Sequence, residues 1–290
     1  MSRGGRPEVR AFFHEPTFTV SYLAIDPETR KAVVIDPTLD FDQKSGRTGT
    51  HSAQAILDAI REEGATLEFI LETHAHADHL TAAPFLKAKT GAPIAIGANI
   101  TTVQGVFKSI FNLKDLTPDG GAFDRLLRDG ERLALGALEI EVMATPGHTP
   151  ACVSYRIGDA AFIGDTMFMP DYGTARADFP GGDARALYRS IKKILALPPE
   201  TRLFLCHDYK APGRDAYAWE TTVAEQRAKN VHVHDGVSED EFVAMREARD
   251  KTLEMPQLIL PSIQVNIRAG ELPAPEDNGV RYLKLPVDML

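Results

Sequence analysis

Cysteine is scarce: the 290 residues hold only Cys152 and Cys206, with no CxxC pair and no ladder of even spacings. That excludes a disulfide framework, points to a reduced, cytoplasmic interior, and leaves both thiols as small buried hydrophobes. Long apolar runs are missing too. No stretch approaches the ~18 residues of a membrane span, and Met1 to Arg10 carries three arginines without an apolar core, so it does not read as a secretory signal. Positive charge is in the minority, with 32 Lys and Arg against 41 Asp and Glu and a formal net charge of -9. Such a balance argues against nucleic acid or an anionic membrane as the main partner. There is no internal repeat and no low-complexity tract. What is present is an ordinary globular composition, 43% hydrophobic and 25% charged, with enough apolar residues for a sizeable core.

Apolar, β-branched segments alternate with amphipathic ones from one end to the other. Val9–Phe13, Thr17–Ile25 and Ala32–Asp36 read as strands, the last two joined by the turn-rich Asp26-Pro27-Glu28-Thr29. Ala53–Glu63 reads as a helix with Ser52 as N-cap and Gly64 at its end, and Leu80–Lys89 as another, stopped by Gly91. Leu67–Thr73, Leu138–Ala144, Cys152–Ile157, Ala160–Gly164 and Arg202–Cys206 read as strands. Asp183 caps a helix with Leu187, Ile191, Ile194 and Leu195 at helical spacing, and Ser238-Glu239-Asp240-Glu241 is a capping box opening one more. The proline-containing tail after Met255 is expected to be irregular but ordered over the body. Mixed elements in both halves predict α/β layers, with residues 1–290 as one domain carrying a C-terminal elaboration from about residue 210.

Chemistry concentrates in Thr73-His74-Ala75-His76-Ala77-Asp78-His79, between a strand and a helix. On an extended segment His74 and His76 point to the same side, because side-chain direction repeats every two residues. Asp78 and His79, at the turn into the helix, can then face a second position beside the first. Imidazole and carboxylate are ligands for zinc, iron or manganese, and no thiolate is offered. Burying four such groups without a metal would leave several of them needing partners. Three further pieces follow, each at the end of a predicted strand: Thr145-Pro146-Gly147-His148-Thr149-Pro150, Gly164-Asp165-Thr166, and Cys206-His207-Asp208-Tyr209.

This ordered set, HxHxDH, GHTP, GD and a final His, resembles the metallo-β-lactamase superfamily. The resemblance implies an αββα sandwich of two mixed sheets flanked by helices, with a metal site along one edge. Within that superfamily the chain is most similar to the persulfide dioxygenases and their bacterial β-lactamase-like relatives. The similarity continues through Arg176-Ala177-Asp178-Phe179, His207-Asp208-Tyr209-Lys210, Glu225-Gln226-Arg227 and Pro261-Ser262-Ile263-Gln264-Val265-Asn266-Ile267-Arg268. It implies one Fe(II) per chain held by His74, His148 and Asp165, with His76, Asp78, His79 and His207 left as surrounding partners. The implied reaction is oxidation of glutathione persulfide, or a similar small persulfide, by O₂ to sulfite and thiol. Arg176, as a carboxylate fork, and Tyr209, through its hydroxyl, are the expected substrate contacts.

The sequence departs from the family at Asn230-Val231-His232, where many members carry Asn-Pro-Arg and use the arginine to hold glutathione. Arg214, in the unusual loop Lys210–Arg214, is the candidate replacement charge. A glyoxalase II-type thioester hydrolase competes as a reading. It would use His74, His76 and His148 on one metal, Asp78, His79 and His207 on a second, and Asp165 as the bridge. Zinc is the expected occupant in that case, or in protein purified without added iron. A metal-binding redox sensor is the weakest alternative, because an open-site metal beside acids and bases suggests turnover. A homodimer is one assembly the resemblance allows. The pair His232/His234 reads as a polar loop, and His14 and His51 as isolated.

Overall fold

The computed structural model describes residues 5–289, so the first four residues of the arginine-bearing Met1–Arg10 segment lie outside it. In chain order the strands and helices are β1 (Glu8–His14), β2 (Thr19–Ile25), β3 (Lys31–Ile35), β4 (Thr38–Asp42), β5 (Arg47–Gly49), α1 (His51–Glu62), β6 (Thr66–Leu71), β7 (Leu80–Thr81), α2 (Ala83–Thr90), β8 (Ile94–Gly97), α3 (Ile100–Ile110), β9 (Arg125–Leu127), β10 (Arg132–Leu135), β11 (Leu138–Ala144), β12 (Val153–Ile157), β13 (Ala160–Phe162), α4 (Ala184–Leu195), β14 (Arg202–Phe204), β15 (Glu220–Thr222), α5 (Val223–Lys229), α6 (Glu239–Asp250) and α7 (Ile259–Asn266).

Two six-stranded sheets result, ordered β1-β2-β3-β6-β8-β9 and β10-β11-β12-β13-β14-β15, with a small third sheet β5-β4-β7 beside them. Both large sheets are mixed: β3, β6, β8 and β9 run parallel, as do β13 and β14, and the remaining pairs are antiparallel. The period-2 alternation of strand side chains decides the layering. In β2 and β3, Tyr22, Ala24, Val33 and Ile35 face the second sheet, where they meet Tyr155, Ile157, Phe162 and Phe204. Their neighbours Leu23, Ile25, Ala32 and Val34 face the other way, onto residues of α1, α2, α3 and α7. The outer face of the second sheet is covered likewise by residues of α4, α5 and α6. The layers are therefore helix, sheet, sheet, helix, as the αββα expectation requires.

Local signals account for the helix ends. Asp183 accepts from the backbone N–H groups of Arg185 and Ala186, the Ser238–Glu241 capping box is formed, and Gly91 ends α2 in the left-handed region. Four expectations shift. Ser52 lies inside α1 rather than capping it, and its hydroxyl donates to Asp40 on β4 at 2.6 Å. Leu80 and Thr81 form a strand beside β4, so α2 begins only at Ala83 with Pro84 in its first turn. Thr17 belongs to a short 3-10 turn before β2. The tail after Met255 contains α7, because Pro261 sits in a first turn where its missing N–H is no loss, and only beyond it does the chain lack regular structure. The segment after about residue 210 supplies β15 to the second sheet and α5 and α6 to its outer layer. Cys152 and Cys206 are free and buried. Among the described residues no helix is long and apolar enough to cross a membrane.

Two consequences are measurable. Gly147 holds φ 142°, and a Cβ there would lie 2.3 Å from the backbone N and Cα of Leu187 in α4. Neither the helix backbone nor the turn can yield cheaply, so Gly147→Ala is expected to cost about 3 kcal/mol or more. A urea titration will show this as a lowered midpoint at unchanged slope. The second consequence concerns His232, half-buried in the turn after α5, whose Nδ1 accepts the Thr174 backbone N–H at 3.1 Å. Burial, then the charges of Arg246 and Arg249, push this imidazole down to about 4. Between its unfolded value of about 6.5 and that folded value, the unfolded chain binds the extra proton. Its contribution is therefore complete above about pH 6.5 and is lost as pH falls towards 4, at up to about 1.4 kcal/mol per pH unit. The difference in unfolding free energy between wild type and His232→Gln, followed from pH 7.5 to 4.5 in metal-free protein, is expected to show that slope.

Candidate metal centre

The loop from Glu72 to His79 leaves β6, Thr145–Pro150 leaves β11, Ile163–Asp165 leaves β13, and Leu205–His207 leaves β14. All four strand ends open at the same edge, and cross-sheet hydrogen bonds hold that edge together. Val153 N–H donates to Thr73 O at 2.9 Å and Val20 N–H to Cys206 O at 2.7 Å. The Tyr155 hydroxyl donates to Glu72 O at 2.7 Å, and the Tyr22 hydroxyl to Leu205 O at 2.5 Å. Each donor comes from the sheet opposite its acceptor.

Within this frame His74, His148 and Asp165 bring one ligand atom each to within 4.8 Å of one another. Asp165 Oδ2 lies 4.0 Å from His74 Nε2 and 3.7 Å from His148 Nε2. His148 donates from Nδ1 to the Arg176 carbonyl at 2.8 Å, which leaves Nε2 as the free lone pair. His76, Asp78 and His79 form a second such group. Asp78 Oδ2 lies 3.3 Å from His207 Nε2, and Asp165 Oδ1 lies 3.4 Å from the same atom. All seven residues singled out for metal chemistry are thus adjacent. Six buried atoms among them have no hydrogen-bond partner: His74 Nε2, His76 Nδ1, His76 Nε2, His79 Nε2, Asp165 Oδ1 and His207 Nε2. Buried imidazole and carboxylate atoms are normally satisfied, and a borderline or hard divalent metal is the partner this donor set fits.

Charge is distributed unevenly. Burial, reinforced by the charges of His76 and His148, pushes the His74 imidazole well down, and burial with the His76 charge takes His79 down to about 4. For His76 and His207 burial acts the same way but is overcome, by Asp36 in one case and by Asp78 and Asp165 in the other, so both are raised. Asp78 is held well below the carboxylate range, since His207 and His79 outweigh its burial.

Three contributors escape a reading of the sequence. Asp36 accepts the Thr73 N–H at 2.7 Å and hydroxyl at 2.8 Å, and lies 3.1 Å from His76 Nε2. Glu72 lies 3.5 Å from the same nitrogen. Asn266 of α7 donates to His76 O and His79 O at 2.8 and 2.7 Å and accepts the Thr81 N–H at 3.0 Å, clasping the histidine loop from below. Asn266 stood in a recognisable motif, but only folding brings it 190 residues back to His76.

The expected substrate contacts fare differently. A cleft of about 500 Å³ opens over the site, with Asp78, His148 and Asp165 at its base and Tyr209 in its wall. Tyr209 stacks on His207, 5.6 Å between ring centres, and faces Tyr172 and Phe168. Arg176 also lines the cleft, but its carboxylate fork is filled: Nε and Nη2 donate to Asp178 at 2.6 and 2.8 Å and Nη1 to Glu254 O at 2.7 Å. Arg214 is likewise spent, gripping Asp208 and Asp171 through four hydrogen bonds of 2.5–3.0 Å. Neither arginine is free to receive a substrate carboxylate. The cations in the cleft wall without a carboxylate partner among the described residues are Lys44, in the β4–β5 turn, and Arg249, on α6. His234 and His51 are exposed, and neither belongs to the side-chain groups that could hold a metal among the described residues.

Comparison with known proteins agrees with this geometry. Residues 14–207 match the Metallo-beta-lactamase superfamily. A probable metallo-hydrolase of Burkholderia pseudomallei (strain 1710b) is 56% identical, covering 97% of this chain and 99% of its own length. The beta-lactamase hydrolase-like protein of Agrobacterium fabrum is 54% identical over 98% of this chain, which spans only 65% of that longer protein. The mitochondrial persulfide dioxygenase ETHE1 of Homo sapiens is 31% identical over 90% of this chain and 88% of its own. Among solved structures, ETHE1 from Myxococcus xanthus superposes with a TM-score of 0.73 at 31% identity, covering 91% of this chain and all of that one. The chain belongs to the metallo-β-lactamase superfamily, as one of its metal-dependent enzymes.

Proposed function

We propose that the protein is a persulfide dioxygenase with one Fe(II) per chain, held by His74, His148 and Asp165. The observation that carries the reading is the grouping of these two imidazoles and one carboxylate from three separate strand ends, with Asp165 Oδ2 facing both rings. The similarity to ETHE1 over most of both chains supports it. Iron in a two-histidine, one-carboxylate site supplies open positions for O₂ and for the terminal sulfur of a persulfide. Over the whole reaction the outer sulfur leaves as sulfite, taking two oxygen atoms from O₂ and one from water, and the thiol is returned.

The chain's own residues do the rest. The Arg176 carbonyl fixes the tautomer and orientation of His148. In this reading His76, which faces Asp36 and Glu72, and His207, which faces Asp78 and Asp165, orient the ligands through charge rather than serve a second ion. The rings of Phe168, Tyr172 and Tyr209 make an apolar approach that limits water around the reacting sulfur. Lys44 and Arg249 take the role expected of Arg176 and Arg214, meeting the carboxylates of a thiol carrier of the glutathione kind at the cleft mouth.

The dinuclear thioester hydrolase remains the second reading, favoured by the His76, Asp78 and His79 group and by the Burkholderia relative's designation as a metallo-hydrolase. Iron-loaded, anaerobically prepared protein separates the two. The dioxygenase is expected to contain one metal per chain in wild type and in His207→Ala, to consume O₂ with glutathione persulfide and to release sulfite. Two metals falling to one in His207→Ala, with rapid hydrolysis of S-lactoylglutathione and no O₂ uptake, would assign the hydrolase instead. For substrate recognition, the Lys44→Ala/Arg249→Ala double variant is expected to raise KM on the order of tenfold with kcat nearly unchanged, as loss of charge-assisted contacts away from the reacting sulfur requires. Steady-state O₂ uptake across substrate concentrations measures both constants.

A further inference from the structure

His148 owes its orientation to one backbone oxygen, the Arg176 carbonyl, which accepts its Nδ1–H at 2.8 Å. That carbonyl belongs to the irregular stretch 174–178, which has no sheet or helix of its own to fix it. What fixes it is a buried ion pair on α6. Arg246 and Asp250 are 1% and 5% exposed and join by Nε–Oδ1 and Nη2–Oδ1 contacts of 2.9 and 2.6 Å. The free Nη1 of Arg246 donates to Thr174 O at 3.0 Å, and the free Oδ2 of Asp250 accepts the Ala177 N–H at 2.9 Å. One i,i+4 pair thereby grips the chain on both sides of the carbonyl that orients the histidine. Glu254 O, just beyond α6, holds the Arg176 guanidinium as well.

A buried ion pair is a weak device for stability, since removing two charges from water costs as much as their attraction returns. Arg246 and Asp250 do more than pair: each spends its remaining hydrogen-bonding capacity on the 174–177 backbone. We infer that Arg246 and Asp250 are positioning residues for the metal centre, acting through the Arg176 carbonyl to hold His148 Nε2 toward the ion. The inference rests on the reading of His148 as a ligand but not on the oxidative reaction, because its consequence is metal affinity.

The informative variant is Asp250→Asn. An asparagine can offer its oxygen to Arg246 or to the Ala177 N–H but not to both, so one side of the grip is lost without emptying the site. Arg246→Lys, which keeps the charge but cannot span Asp250 and Thr174 O together, is the second variant should the first fold poorly. Phe242→Leu is the control, since Phe242 is fully buried on the same helix yet its packing partners lie in the core beneath the second sheet. Affinity of the full chain for zinc is measured by chelator competition, the absorption spectrum of the cobalt(II) form reports ligand geometry, and thermal unfolding of the apo-protein reports stability. Asp250→Asn or Arg246→Lys is expected to weaken zinc binding about 10- to 100-fold, the range for losing an orienting partner of a ligand, and to change the cobalt spectrum. Phe242→Leu is expected to lower the unfolding temperature with affinity within about twofold of wild type. Unchanged affinity in both grip variants, or equal loss in Phe242→Leu, would overturn the inference. His148→Ala serves as the reference: if it leaves zinc affinity unchanged, the ligand reading falls and the inference with it.

Discussion

The arrangement depends on stitching two sheets together at the edge where their strands end. A sheet presents its polar backbone only to neighbours in its own plane, so two stacked sheets ordinarily share nothing but apolar side chains. Here hydrogen bonds cross between them, and four of these run from Val153 to Thr73, Val20 to Cys206, Tyr155 to Glu72 and Tyr22 to Leu205. Each of these acceptors lies within two residues of His74 or His207. The histidine loop and the His207 strand end are thus held in register with each other before any ligand arrives. The requirement is severe, because six buried ring or carboxylate atoms of the seven candidate ligands lack partners. At about 1–3 kcal/mol each, their desolvation rivals the whole net stability of a typical domain, about 5–15 kcal/mol. A rigid frame carries that load, and an ion held by His74, His148 and Asp165 would relieve only the part that falls on those residues.

Electrostatics sorts the imidazoles within the frame. His74 and His79 are pushed towards the neutral form, which is the form that can bind a metal. His76 and His207 sit against carboxylates that favour the charged form. In the metal-free chain the carboxylates Asp36, Glu72 and Asp78 therefore already have imidazole partners, whereas Asp165 is shared among His74, His148 and His207. The mononuclear reading follows this division only in part: it places the ion beside the lowered His74, while the lowered His79 stays outside the ligand set.

Much of this was legible in the sequence where the cause is local. The apolar, β-branched runs of β2 and β3 read as strands, and the spacing of HxHxDH predicts ligands gathered at a strand end. Asp183 and the Ser238 box mark helix starts through side chains that act within three residues. Legibility failed where a long or forked side chain chooses its partner in three dimensions. Arg176 reads as a free fork beside the site, yet Asp178, two residues away, fills it. Arg214 reads as a spare charge, yet Asp171 and Asp208 converge on it from segments 43 and 6 residues distant. Ser52 has the chemistry of a cap, but Asp40 competes for its hydroxyl and the helix starts one residue earlier than Ser52. In each case the residue type was read correctly and its partner was not, because partner choice is a tertiary property.

The cleft shows why the recognition of a substrate need not follow from the candidate metal centre. Its base is made of the ligand loops, all anchored to the two large sheets. Its mouth is made of the β4–β5 turn and the stretch from Arg249 to Leu258, which meet through reciprocal amide contacts between Gln43 and Gln257 at 3.1–3.2 Å. Neither segment belongs to the sheets that carry the ligands, so charge at the mouth can change without disturbing the register of His74, His148 and Asp165. His232 spends its Nδ1 on the Thr174 backbone, while Lys44 and Arg249, without a carboxylate partner among the described residues, line the cleft. Chemistry at the base and recognition at the mouth are thus set by different parts of the chain. One link between them is α6, which carries Arg249 on the cleft side and the Arg246–Asp250 pair on the buried one.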